Sequence, residues 1–297
     1  MSLGVTTSKM RISKATESLL THALNIEQSS AQDRKELGFM ARSLVLCTIP
    51  HSKPIGNEFR RKNGDYTLSM WSPNGLPYGS IPRMLLAWIT TEAIRTKNPT
   101  LVLGHSLSEF MRQLDMPING GTKGGITRLR EQMKRLFATT VVCTYNDALH
   151  DKGRRFDIAD DYDLWWHPQQ ADQAGLWEST LTLSQKFYAE VVASPVPIDL
   201  QALKALKRSP MALDIYLWLT FRNSYLKAST VITWDQLQMQ FGAEYGRSRD
   251  FKEAFSDALR KVLVVYPAAK IVTNDRGILI SPSPTHVSKQ GKKLSKK

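Results

Sequence analysis

"GGTKGGITRLREQMKRLFA", residues 120–138, sets a glycine-rich basic loop directly in front of a basic helical pattern. Such a loop can cradle a nucleotide's phosphates, or it can aim a helix at a larger polyanion. A phosphate cradle needs Gly, four residues, Gly, then Lys and Ser/Thr, entered from a strand. Gly120, Gly125 and Thr127 meet that spacing, but Ile126 stands where the lysine must reach the phosphates. The loop also follows a helical pattern, SLSEFMRQLD, and no G-x-G-x-x-G is present. The nucleotide reading therefore fails. At 100° per residue, Ile126, Leu129, Met133, Leu136 and Phe137 share one face of the helix. Thr127, Arg128, Glu131, Lys134 and Arg135 lie opposite, with Arg130 on the flank. One face anchors; the other is left for a partner.

Upstream, Ser80-Ile81-Pro82 opens a largely apolar helix, with proline in its first turn. A short strand (100–103) and the segment HSLSEFMRQLDM follow, where Ser106 and Glu109 have capping-box spacing. Beyond the basic helix, TTVVCTY alternates as a strand, and FDIADDYDLWW is expected to pair with it across NDALHDKGRR. The same order then recurs. Ser209-Pro210 opens a second apolar helix, residues 230–233 form a strand, and Thr233 and Gln236 repeat the cap spacing. A long amphipathic helix, RSRDFKEAFSDALRKVLVVYP, leads to two strands around Asn274-Asp275-Arg276-Gly277. Helix, strand, helix, turn, helix, hairpin is the winged-helix order, whose third helix enters the major groove. The expected fold is α+β, with two tandem winged-helix domains.

The expected boundaries are 1–30 flexible, 31–190 a first domain, 191–287 a second, and 288–297 a basic tail. Residues 31–46 have apolar residues at helical spacing and are expected to pack on the first domain. Pro195 and Pro197 mark a helix-breaking junction over 184–205.

The 297 residues carry 40 Lys+Arg against 27 Asp+Glu, a net charge of +13. Five lysines fall in the last nine residues, and 13 less 5 leaves about +8 spread over the rest. Such an excess points to a polyanion. No apolar run approaches membrane-spanning length and the N-terminus lacks a signal-peptide core, so a cytoplasmic protein is expected. Cys47 and Cys143 stand in apolar contexts as reduced core thiols.

Enzyme signatures are missing. The six histidines are dispersed without metal-ligand spacing, so neither metal nor cofactor is expected. Asp157, Asp160, Asp161 and Asp163 lack a calcium-loop pattern, and no nucleophile elbow or triad appears. Trp165, Trp166 and Trp218 read as core or interface aromatics. The candidate groups are instead cationic. From the first unit come Lys123, Thr127, Arg128, Arg130, Lys134 and Arg135, with Arg154 and Arg155 at a wing tip in the loop 152–155. The second helix offers Arg249, Lys252, Ser256 and Arg260, a weaker set because Glu253 sits among them.

Several long segments carry a resemblance. GLPYGSIPRMLLAWITTEAIRTKNP (75–99), LGHSLSEFMRQLDM (103–116) and the opening stretch resemble the RepA replication initiators of bacterial plasmids. So do KRSPMALDIYLWLTFRNSYL (207–226), ITWDQLQMQFG (232–242), FKEAFSDALRKVLVVYP (251–267) and SPSPTHV (281–287). The resemblance implies double-stranded DNA as partner, bound at direct repeats (iterons) of the plasmid origin, with local strand opening. It further implies recruitment of the host initiator DnaA and the DnaB helicase, and a homodimer that represses its own promoter. A transcriptional repressor without an initiation role would need the same readout.

Overall fold

The computed structural model describes residues 13–287, apart from 32, 34, 166–177 and 243–244. A first helix, α1 (Lys14–Gln28), precedes strand β1 (Leu37–Ala41) and a short helix α2 (Arg42–Leu46). A hairpin follows, β2 (Glu58–Asn63) and β3 (Tyr66–Trp71). Then come α3 (Ser80–Thr96), β4 (Thr100–Val102), α4 (Leu107–Gln113) and α5 (Gly125–Phe137). Strands β5 (Thr140–Asn146), β6 (Asp151–Asp157), β7 (Ala159–Asp163) and β8 (Thr180–Leu183) lead to α6 (Gln185–Ala193), β9 (Pro195–Asp199) and α7 (Leu200–Leu206). The chain continues through α8 (Pro210–Asn223), β10 (Thr230–Thr233), α9 (Trp234–Phe241) and α10 (Ser248–Val265) to a hairpin, β11 (Lys270–Asn274) and β12 (Gly277–Ser281). The fold is mixed α and β: among the described residues, ten helices surround four small antiparallel sheets.

Two helices organise the molecule. Residues 80–96 and 210–223 are apolar on nearly every side, so neither helix can lie on a surface. Helix α3 buries Leu85, Leu86, Ile89 and Ala93, and α8 buries Leu213, Ile215, Leu217 and Leu219. They pack against each other, and one hydrophobic core runs through both halves. The repeated order of elements is present around each. In the second half β10 pairs with β12, and β12 with β11. The first half departs from that pairing, because β4 bonds to β8 and the β5–β6 hairpin joins β2 and β3 in a four-stranded sheet. The β2–β3 hairpin, turned at Gly64 with φ 58°, supplies β3 as the neighbour of β5.

Three expectations are corrected here. The segment 1–30 is not flexible throughout: α1 is capped by Ser13, whose Oγ accepts from Thr16 N, and packs on α7 and α10. Leu19, Ala23 and Ile26, at i, i+4 and i+7, supply its apolar stripe. Residues 37–41 are a strand and not part of a helix, because they pair with β9. That pairing also makes 195–199 an integral strand and not a linker. Pro195 and Pro197 fit since, in a two-stranded sheet, alternate residues direct their missing N–H away from the partner. The basic tail 288–297 and Trp166 lie outside the described residues.

A buried charge cluster ties the halves together. Arg83 of α3, with its side chain 1% exposed, donates from Nε to Asp214 Oδ1 (2.7 Å) and from Nη2 to Oδ2 (2.6 Å). It also donates to the carbonyls of Ile49 (2.7 Å), Pro50 (3.1 Å) and Gly79 (2.6 Å). His51 Nε2 stands 2.7 Å from Asp214 Oδ2. Burial alone would raise the Asp214 pKa, but Arg83 and His51 together hold it below the usual carboxylate value. Burial, with the charges of Arg83 and Arg61 beside it, lowers the His51 pKa although Asp214 raises it. A histidine held neutral in the fold binds fewer protons than in the unfolded chain once pH drops below about 6.5. Stability is therefore expected to fall as pH goes from 7.5 to 5.5. Asp214 contributes nothing to that window, since its depressed pKa matters only at more acidic pH. Urea midpoints of the wild type and His51→Gln at both pH values check this: the variant should show the shallower dependence. Burial similarly lowers the pKa of His22, which accounts for part of the remaining slope. Cys47 and Cys143 are free and buried, and burial pushes their thiols up to about 12 and about 11.

Candidate nucleic-acid interface

The loop before α5 is built by glycines that let backbone cross backbone. A Cβ on Gly124 would stand 2.2 Å from Gly120 O, and one on Gly125 2.1 Å from Pro117 O. Gly121 takes φ 88°. Asn119 closes the turn, its Oδ1 accepting from Gly125 N at 2.7 Å and its carbonyl from Ile126 N at 3.3 Å. Thr127 Oγ1 donates to Gly121 O at 2.8 Å. The loop is thus a rigid lead-in whose internal acceptors take some of the helix's first N–H groups, and Lys123 stands exposed on it.

Helix α5 buries Ile126, Leu129, Met133, Leu136 and Phe137, as its periodicity predicts, and adds Gln132, whose Oε1 accepts from Tyr78 N at 2.9 Å. At about 1.5–3 kcal/mol per large apolar side chain, the anchor is firm. Thr127, Arg128, Glu131 and Lys134 face solvent and Arg130 is half-buried. Among the described residues, no ion pair or hydrogen bond engages the side chains of Lys123, Arg128, Arg130 or Lys134.

Arg135 is different. Its side chain is only 13% exposed: Nη2 donates to Glu131 (2.7 Å), Nη1 to Leu76 O (3.3 Å), and the guanidinium lies 5.4 Å from the centre of the Tyr78 ring. It braces the β3–α3 loop instead of facing outward. The wing-tip expectation also changes. Residues 152–155 belong to strand β6, because Phe156 pairs with Val141 and the hairpin loop is only 147–150. Arg154 and Arg155 then point to opposite faces of the sheet. Arg154 is ion-paired with Glu190 of α6, whereas Arg155 is exposed.

In the second half, Arg249 is exposed at the start of α10. Lys252 lies half-buried with Nζ 5.6 Å from the centre of the Trp234 ring, Ser256 is half-buried, and Arg260 is ion-paired with Asp257. This face is electrostatically weaker than that of α5.

Two cations went unread in the sequence. Arg208, just before α8, is exposed and lines a cleft of about 830 Å³ together with Arg128, Glu131 and Lys207. It also lines a second cleft with Arg260 and Lys261. Arg208 therefore bridges the exposed flanks of α5 and α10. Lys207, its neighbour, is ion-paired with Asp115. Arg276 stands exposed at the tip of the β11–β12 turn, where Asn274 Oδ1 accepts from Arg276 N and Gly277 N. The Asn-Asp-Arg-Gly turn signalled its position; nothing local signalled Arg208.

The exposed cations of α5, Arg208 in the clefts beside α5 and α10, and Arg249 at the start of α10 are the candidate contacts for a polyanion. The chain belongs to the family of plasmid-encoded RepA proteins, replication initiators, whose model matches residues 76–236. That span takes in α3 to α5 and ends in α9, so it includes the basic helix and the bridge. The fold is also similar to the crystal structure of RctB domains 2–3, at 10% identity and a TM-score of 0.49, covering 80% of this chain and 96% of that one. A structure of selenomethionine derivatives of RctB domains 2 and 3 gives 11%, 0.49, 81% and 98%. None of the curated proteins matches the sequence. Among the described residues, no helix is long and apolar enough to cross a membrane.

Proposed function

We infer that this protein is the origin-binding initiator of its plasmid, acting by binding and assembly and not by catalysis. Each half is read as a winged-helix unit, with α5 and α10 as the helices that enter successive major grooves. The single observation that carries the reading is the α5 face. Lys123, Arg128, Arg130 and Lys134 are held on a rigid anchored helix, without partners among the described residues, and continue through Arg208 toward α10. Two units on one duplex cover about two helical turns, roughly 20 bp. The ligand is double-stranded DNA carrying repeated sites, and the reading extends to origin opening, to recruitment of DnaA and DnaB, and to a homodimer that represses its own promoter.

The test is a footprint on the origin of the encoding plasmid, followed by titration of Arg128→Ala against the protected site and scrambled duplex. Arginine on a groove-facing helix pairs with guanine O6 and N7. Its loss should cost about 1–3 kcal/mol on the site and relax selection at one base pair. Equal losses on both duplexes would remove Arg128 from base reading. A protein that binds and represses but loads no helicase onto repeat-bearing plasmid would be a repressor only.

A further inference from the structure

The four-stranded sheet presents a face that the duplex reading does not use. Its order is β2-β3-β5-β6, and the register aligns three cross-strand rows on the outer side. One row runs Glu58, Trp71, Thr140, Asp157. The next runs Arg60, Ser69, Val142, Arg155, and the third Lys62, Thr67, Thr144, Gly153. Trp71, the last residue of the inner strand β3 and so on the end row of this sheet, is 47% exposed, although tryptophan is among the costliest side chains to leave in water. Arg60, Lys62 and Arg155 are all exposed, and no ion pair or side-chain hydrogen bond engages them among the described residues. A shallow depression of about 480 Å³ has Glu58, Arg60, Ser69, Trp71, Thr140 and Val142 in its lining. Helix α6 packs on the other side of the sheet, where Phe187 stacks on Phe156 at 5.5 Å.

We propose that this face binds single-stranded DNA. An exposed aromatic ring on an open sheet offers a base a stacking surface, and flanking cations hold the phosphates on either side. The face is too flat to enter a duplex groove, and a ring lying on it reaches a base only when that base is unpaired. Charge decides the direction of the strand. Glu58 and Asp157 sit at the two ends of the Trp71 row, so the phosphates follow the rows of Arg60, Arg155 and Lys62, and the base turns back onto the ring. Small side chains at Ser69 and Thr144, and none at Gly153, leave room for the sugar between the cations. The inference goes beyond the duplex reading, and its site is separate from α5 and α10.

The test uses the full chain and fluorescence anisotropy with a labelled 20-nucleotide dT strand, a 20-nucleotide rU strand and a duplex bearing the footprinted site. The Trp71→Ala variant, and separately the double variant Arg60→Gln/Lys62→Gln, should weaken dT binding about tenfold or more. Duplex affinity should change less than twofold. The double variant alters only exposed side chains, which keeps the result readable if Trp71→Ala folds poorly. The proposal is overturned if the wild type does not bind dT, or if both variants bind it unchanged. Equal losses on duplex, or tighter binding to rU than to dT, would also overturn it. So would a change confined to sedimentation, which would make the face a contact between two copies of this chain. Loss of duplex binding by the wild type would instead end the initiator reading, whatever dT does.

Discussion

Replacing Arg83 by alanine is expected to lower the unfolding free energy by about 3–5 kcal/mol, the usual cost of leaving one partner of a buried ion pair alone. The guanidinium donates to both Asp214 oxygens and to the carbonyls of Ile49, Pro50 and Gly79. Its removal orphans acceptors on three segments at once, and among the described residues only His51 remains beside the carboxylate. The carboxylate must then neutralise or draw in water, and either costs stability. Removing both charges is a different experiment. Arg83→Met/Asp214→Leu restores an apolar contact between α3 and α8, and buried pairs replaced in this way are neutral or stabilised by about 1–4 kcal/mol. Denaturant titration of the single and double variants measures both. A loss below about 1 kcal/mol in the single variant would show that the pair is not desolvated as the geometry implies. Because Arg83 and Asp214 lie 131 positions apart in the chain, the cluster also resists separation of the halves. The slope of the unfolding transition should fall if the single variant lets one half open first.

The same cluster shows where reading the sequence stops. Helix α5 was legible to within a residue, because its signal is local: glycines before it and a 3.6-residue stripe along it. The Ser106 and Thr233 caps were legible for the same reason, and both side chains accept the expected N–H. Pairing between distant segments was not. Strands β1 and β9 are five residues each, and the second contains two prolines, so neither announces itself without its partner. Arg135 fell on the outward wheel face, yet Tyr78 and Glu131 draw it back along the helix. Arg154 and Arg155 shared one expected role only while they were placed in a loop. Once they sit in a strand, its two-residue period sends them apart. The β2–β3 hairpin did carry a local signal, the two-residue loop Gly64-Asp65 with glycine at its first position.

Converting Lys123, Arg130 and Lys134 together to glutamine is expected to weaken duplex binding about a hundredfold at 0.15 M salt, because each phosphate contact releases about 0.9 counterion. The three residues lie along the loop and the outer side of α5, where no other group neutralises them among the described residues. The slope of log K against log salt should flatten by about 2.7, with specific and scrambled duplex affected alike. Arg135 supplies the internal control. It is the same charge on the same helix, but it is committed to Glu131, Leu76 O and the Tyr78 ring. Arg135→Gln should leave the salt slope unchanged and lower the thermal midpoint instead, since it removes a brace between α5 and the β3–α3 loop. The two variants therefore move different observables. If Arg135→Gln flattens the slope as much as Lys134→Gln alone, the side chain leaves its brace to meet phosphate, and the exposed face of α5 is wider than its unbound geometry shows.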